Sequence, residues 1–213
     1  MNSGSKAKKC IIEAAGEIFS ERGFRNTTVR EICSRAGVNV AAINYHFGDK
    51  EHLYSAVLKH YQVIAFEKYP PGLGVNETDL PDVRLRAYVQ SFMFRILDDG
   101  QPSWFGKLMA REFIDPTQAL DDLVIETIRP SFNILSSIVR ELLGNQAGER
   151  TIRLCSMSIV GQCLYFRNSK AVLRRFFQKE AFSAEEIKEV ADHIAKFSLY
   201  ALKNYLPIKK TFE

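Results

Sequence analysis

The sequence holds little that catalysis, metal binding or secretion would need. Its 213 residues include only four cysteines, Cys10, Cys33, Cys155 and Cys163, with no C-x-x-C and no zinc-type spacing. Each lies in an apolar helical context, so all four are expected to be reduced and to pack as small hydrophobes. The four histidines, His46, His52, His60 and His193, form no H-E-x-x-H pair. No G-x-S-x-G, phosphate-loop or dinucleotide glycine pattern appears either. An enzyme is therefore not expected, and neither a cofactor nor a metal is implied. No apolar run reaches transmembrane length. The start, MNSGSKAKKC, lacks the apolar core and cleavage site of a signal peptide. A cytoplasmic protein with no membrane partner is the expectation. Sustained strand alternation, internal repeats and low-complexity tracts are missing too.

What is present is an ordinary globular composition, 46% hydrophobic and 25% charged, in a chain long enough for one or two domains and a sizeable core. The net charge is only +4, but it is unevenly placed. Residues 1–50 carry eight Lys/Arg and five Asp/Glu, whereas the other 163 residues carry 21 and 20. Most of the surplus therefore sits where it could attract phosphate, or where it is simply a solvated basic face.

Helical periodicity runs through the chain. Ile11, Ala14, Ala15, Ile18 and Phe19 define a helix from Lys6 to Arg22, which Gly23 stops, and Phe24 is placed to plug a small core. Asp49 caps a helix from Lys50 to about Lys68. Pro70, Pro71, Gly72 and Gly74 then interrupt the pattern. Leu85, Tyr88, Val89, Phe92, Met93 and Ile96 mark a helix over 79–97. Ser103 is placed to cap a short aromatic helix from Trp104 to Ile114. A long helix is expected over 118–143, with Leu120, Leu123, Val124, Thr127, Ile134, Leu135, Ile138 and Leu142 inward and a kink near 126–129 caused by Pro130. Helices over 149–167, 170–178 and from the Ser183–Glu186 capping box to about Tyr205 complete an all-α fold of nine to eleven helices. The domain division expected is 1–48, a three-helix head, and 49–213, a larger helical domain.

The stretch from Thr27 to Lys50 carries the functional signal. Thr28 and Glu31 have the spacing of a capping box, Ala36-Gly37-Val38 supplies a sharp turn, and Asn39 caps a second helix to about Phe47. Ile32, Ala36, Val38, Ile43 and Phe47 are spaced to face one another, and small Cys33 sits where the helices approach. This is the pattern of a DNA-binding helix-turn-helix. A second helix of seven residues is about 10 Å long and fits a major groove about 12 Å wide. Its outward face is Val40, Ala41 and Asn44. The two small residues allow close approach to base edges, and Asn44 can pair bidentately with adenine. Thr27, Thr28, Asn39, Tyr45, His46 and Lys50 are placed for phosphate oxygens. The plainer reading of Tyr45 and His46 is amphipathic residues closing a small core.

From Ile11 to Leu53 the chain resembles the N-terminal signature of TetR-type transcriptional regulators. Thr28, Ile32, Ala36, Gly37, Val38, Tyr45, Phe47, Lys50 and Leu53 carry the likeness. The resemblance implies a dimer that binds a palindromic operator and releases it when a small molecule enters the C-terminal domain. Lys50 matches the family's phosphate-contacting lysine. Cys33 stands where alanine is more usual, and Asn39 where serine or threonine is. Further on, Trp104, Leu108, Arg111, Glu112 and Pro116, with Gly161-Gln162 and Phe166-Arg167, are similar to the branch with a CecR-like regulatory domain.

For an unknown small-molecule effector, Trp104, Leu108 and Arg111 share a helical face, on which Phe92 and Met93 and then Gln162, Tyr165 and Phe166 could converge. Core packing is the alternative for that stripe, and a structural ion pair is the alternative for Arg111, Glu112 and Arg167. The helices over 152–166 and from Ser183 are apolar on more than one face, as a homodimer contact requires. A DNA-binding or architectural protein without a small-molecule ligand remains the competing function.

Overall fold

A computed structural model describes residues 3–98, 104–178 and 182–205. Among them are eleven α-helices, one π turn and no strand. The expected Ser103 cap lies outside the described residues. No helix of the described residues is long and apolar enough to cross a membrane. The chain forms two compact units, residues 1–68 with 99–125, and residues 69–98 with 126–213.

The first unit opens with α1 (Ser3–Arg22), α2 (Val29–Ala36), α3 (Val40–Phe47) and α4 (Lys50–Lys68), and also takes in α6 (Trp104–Ile114) and α7 (Ala119–Leu123). Its core follows the helical spacing. Ile11, Ala15 and Phe19 of α1 are fully buried, as are Ile32, Ile43, Leu53 and Val57 from the three helices that follow. Phe24, just past α1, stacks between Phe19 and the Tyr54 ring, whose centroid is 5.1 Å away. Cys33 is buried, as small hydrophobes in such contacts are.

The second unit is built around α5 (Pro81–Leu97), which packs on α8 (Arg129–Leu143), α9 (Glu149–Asn168) and α11 (Ala184–Lys203); α10 (Lys170–Phe177) lies against α9. Leu85, Val89, Met93 and Leu97 are fully buried, consistent with a helix enclosed by its neighbours. The long helix expected over 118–143 is divided. A π turn, Val124–Ile128, joins α7 to α8, and Pro130 sits in the first turn of α8. Proline has no N–H for the ladder, and at a helix start none is required, so the irregularity falls one turn before it. Ile134, expected inward, is 43% exposed. On α11 the inward stripe of Ile187, Ala191, Ile194, Ala195 and Leu199 is buried, yet Phe197 and Tyr200 on other faces are open.

Candidate nucleic-acid interface

Two short helices meet at a turn whose geometry the local sequence dictates. The Thr28 hydroxyl accepts from the Glu31 N–H at 3.3 Å, and the Glu31 carboxylate accepts from the Thr28 N–H at 2.8 Å. The bond from the Thr28 N–H, a second donated by the Thr28 hydroxyl at 2.8 Å and Arg22 at 2.8 Å hold the Glu31 carboxyl below the usual range. Gly37 then adopts φ +67°, the left-handed conformation that lets α2 end and the chain reverse. Asn39 Oδ1 accepts from the Ala42 N–H at 3.0 Å and starts α3. Asp49 repeats the device for α4, accepting from the His52 N–H at 2.8 Å. That bond, and the His52 ring beside it, lower the Asp49 pKa.

The outward face of α3 is the one expected. Val40 is 42% exposed, Ala41 and Asn44 are exposed, and Tyr45 is 85% exposed. His46 is half-buried between the rings of Tyr45 and Phe47. Lys50 is half-buried, its Nζ 4.2 Å above the Phe24 ring, which fixes the ammonium at the α3–α4 junction. Three of the residues expected to meet phosphate have their side chains engaged internally. Thr27 is 1% exposed and its hydroxyl donates to the Gly23 carbonyl at 2.8 Å. The Thr28 hydroxyl and the Asn39 amide oxygen are helix caps, and the Thr28 N–H is itself taken by Glu31 and the Thr27 N–H by the Phe24 carbonyl, so of the three Asn39 keeps its side-chain NH2 as a donor for an anion. One neighbour escaped the sequence reading: Lys8, whose Nζ lies 5.8 Å from the Phe47 ring centroid, beside the end of α3. The Lys6, Lys8, Lys9 run was the available signal.

The six residues expected to line an effector pocket are divided between the two units. Trp104, Leu108 and Arg111 belong to the first unit; Phe92, Gln162 and Phe166 belong to the second. Leu108 is fully buried core, while Trp104 packs edge-on to Tyr61. Arg111 is exposed and donates to the Glu21 carbonyl. Glu112, expected to pair with an arginine, is instead held by hydroxyl and amide donors. It accepts from the Tyr54 hydroxyl at 2.8 Å and from the Thr117 N–H at 3.1 Å. In the second unit Phe92 stacks on Tyr88 beneath the Arg95 guanidinium. Gln162 donates to the Ser198 hydroxyl, and Phe166 packs against Phe182.

An exposed recognition helix, capped at its start and followed by an anchored lysine, defines a helix-turn-helix transcriptional regulator. Residues 11–57 match the bacterial regulatory proteins of the tetR family, and residues 81–202 match the C-terminal domain of the HTH-type transcriptional dual regulator CecR. The CecR of Shigella flexneri is 30% identical over 181 residues, covering 80% of this chain and 79% of that protein. Among solved structures, the hemolysin II regulator HlyIIR superposes with a TM-score of 0.62 at 26% identity, over 90% of this chain and 98% of that one. AibR, solved with isovaleryl coenzyme A and operator DNA, superposes at 0.67 with 16% identity, over 90% and 97%. The chain belongs to the TetR family of DNA-binding transcriptional regulators, in the branch with a CecR-type C-terminal domain, and is not an enzyme.

Proposed function

We propose that this protein is a homodimeric cytoplasmic repressor that leaves a palindromic operator when a small molecule binds its C-terminal domain. The observation that carries the reading is the exposed face of α3 with Lys50 braced beside it. Residues 1–48 read DNA in this scheme, and residues 49–213 sense and dimerise. Val40, Ala41 and Asn44 meet base edges; Tyr45, His46 and Lys50, with Asn39 and the N–H groups in the first turn of α2, just after Thr27 and Thr28, meet phosphates. Leu154, Met157 and Tyr165 on α9, and Phe197 and Tyr200 on α11, are apolar and between about half and three-quarters exposed. A second copy would cover them and set the two heads about 34–36 Å, or a multiple of it, apart.

The effector site we propose lies in the second unit beside Phe92. There the Tyr88 hydroxyl shares a hydrogen bond of 3.0 Å with Ser131. One turn earlier, in the π turn, Thr127 is buried and its hydroxyl has no partner among the described residues. π turns recur at functional sites, and a buried polar group without a partner is one that a bound ligand would satisfy. AibR, with both an acyl-coenzyme A and an operator in one structure, supports the pairing of the two functions.

Selection of bound duplexes from a random pool tests the reading. Inverted half-sites are expected, with Asn44→Ala relaxing preference at one base position. Lys50→Ala should weaken binding to every duplex and flatten the plot of log K against log salt by about 1. Recovery of no inverted repeat, or three variants (Asn44→Ala, Tyr45→Ala, Lys50→Ala) that bind like the parent, would refute it.

A further inference from the structure

The first unit contains a cleft of about 640 Å³ between α1, α2, α4 and α6, a volume suited to a small molecule. Its wall is aromatic. Trp104 meets Tyr61 edge-on, with centroids 5.0 Å apart. Both press on α1 at Gly16, where an added Cβ would stand 2.4 Å from Tyr61 Cε2 and 2.8 Å from Trp104 Cε3. Tyr61 is 3% exposed, its ring held against Gly16. Glu13 and Glu17, which also line the cleft, add to burial in raising the Tyr61 pKa.

The charges on the rim are not equally available. Arg35 grips Glu17 through two nitrogens at 2.5–3.0 Å, so each neutralises the other. Lys9 reaches Glu13 only at 3.8 Å, and both side chains are more than half exposed, an arrangement that contributes little and yields readily. His60, also at the rim, has its pKa lowered by burial and is neutral at pH 7. Lys9, the more exposed of the two and on a long flexible stem, turns to solvent when the pair parts, and Glu13 is then open to a new partner beside the phenol of Tyr61 and the indole of Trp104. We propose that the cleft is a second small-molecule site, independent of the effector site in the other unit, and that it takes an aryl-alkyl amine with one positive charge. The ammonium replaces Lys9 at Glu13 and donates to the Tyr61 hydroxyl, and the aryl group packs on Trp104. Such a ligand touches α1, α4 and α6 together, and so holds the first helix of the reading head against the helix that follows the head.

Trp104 is the only tryptophan of the chain, so its fluorescence reports on this cleft directly. Phenylbutylamine is titrated against phenylbutanol and phenylbutyrate, which differ only in charge at the tip. The amine should change Trp104 emission saturably, the alcohol should bind about tenfold more weakly, and the anion should not bind. Glu13→Gln, a substitution at an exposed position, should raise the amine Kd about tenfold and leave operator binding in the absence of amine unchanged. No saturable change up to about 10 mM amine, equal binding of amine and alcohol, tighter binding of the anion, or an unaltered Kd in Glu13→Gln would each overturn the proposal. Operator binding is read separately, so a failed repressor reading and a failed cleft give different results.

Discussion

Replacing Tyr54 by phenylalanine should destabilise the protein through one atom. Tyr54 and Glu112 are each 1% exposed, and the hydroxyl donates to the carboxylate at 2.8 Å. Removing it leaves Glu112 with the Thr117 N–H at 3.1 Å and the Thr117 hydroxyl at 3.2 Å on its other oxygen. A buried hydrogen bond to a charge contributes about 2 kcal/mol, and the ring that remains opens no cavity. With m of about 2–3 kcal/mol per molar urea, the midpoint should fall by about 1 M at a fixed protein concentration. The alkaline limb gives an independent reading. Burial, with Glu112 beside it, raises the Tyr54 pKa above its value of 10.0, and burial raises Tyr61 and Tyr88 as well. A folded pKa above the unfolded one means that the contribution is complete below pH 10 and is lost as pH rises beyond it. Each such tyrosine steepens the loss by about 1.4 kcal/mol per pH unit. Cys163, pushed up by burial to about 12, acts with the same sign from its ordinary value of 9.0. Arg95, lowered by burial to about 10, acts against them between there and 12.5. Tyr54→Phe should therefore be less stable at pH 8 and also lose stability less steeply above pH 10. A midpoint within 0.2 M of the parent (about 0.5 kcal/mol) together with an unchanged alkaline slope would refute the argument.

Other expectations concern the head. Thr28→Ala removes the hydroxyl half of the capping box and should lower stability by about 1 kcal/mol in urea unfolding, with a parallel loss of operator affinity in gel shifts. Gly16→Ala forces Tyr61 or Trp104 away from α1, should destabilise by about 1–3 kcal/mol, and should shift Trp104 emission to the red. The inverted half-sites and the reduced salt dependence of Lys50→Ala, and the amine selectivity of the cleft with its loss in Glu13→Gln, complete the set.

The head was legible because its signals are local. A capping box needs only Thr28 and Glu31 three residues apart, and the structure forms both of its bonds. Gly37 and Asn39 likewise act on their own backbone. Thr27 shows the limit of such reasoning. It has the same chemistry as Thr28, but its hydroxyl faces the Gly23 carbonyl, a contact set by how α1 ends. The sensor residues were less legible for a related reason. Periodicity says which residues of a helix share a face, not what that face meets. Trp104, Leu108 and Arg111 do lie at helical spacing, yet they end as cleft wall, core and exposed hydrogen-bond donor. Pro130 announced an irregularity, but not that it would be a π turn with a buried threonine.

Tyr54 also links the core of the first unit to Lys50, the lysine proposed to meet DNA phosphate. Its ring is 4.8 Å from Phe19 and 5.1 Å from Phe24, and Phe24 in turn lies under Lys50 Nζ at 4.2 Å. The hydroxyl and the ring therefore serve different ends. The hydroxyl ties α4 to Glu112 of α6, whereas the ring keeps Phe24 where Lys50 can rest on it. Well below the unfolding midpoint, Tyr54→Phe should bind operator like the parent, because the stack survives. Tyr54→Ala frees Phe24 to move, and with it the ammonium, so operator affinity and its salt dependence should both fall toward those of Lys50→Ala. If Tyr54→Ala kept the full salt dependence, Lys50 would be held by something other than this stack, and the aromatic chain would be core packing alone.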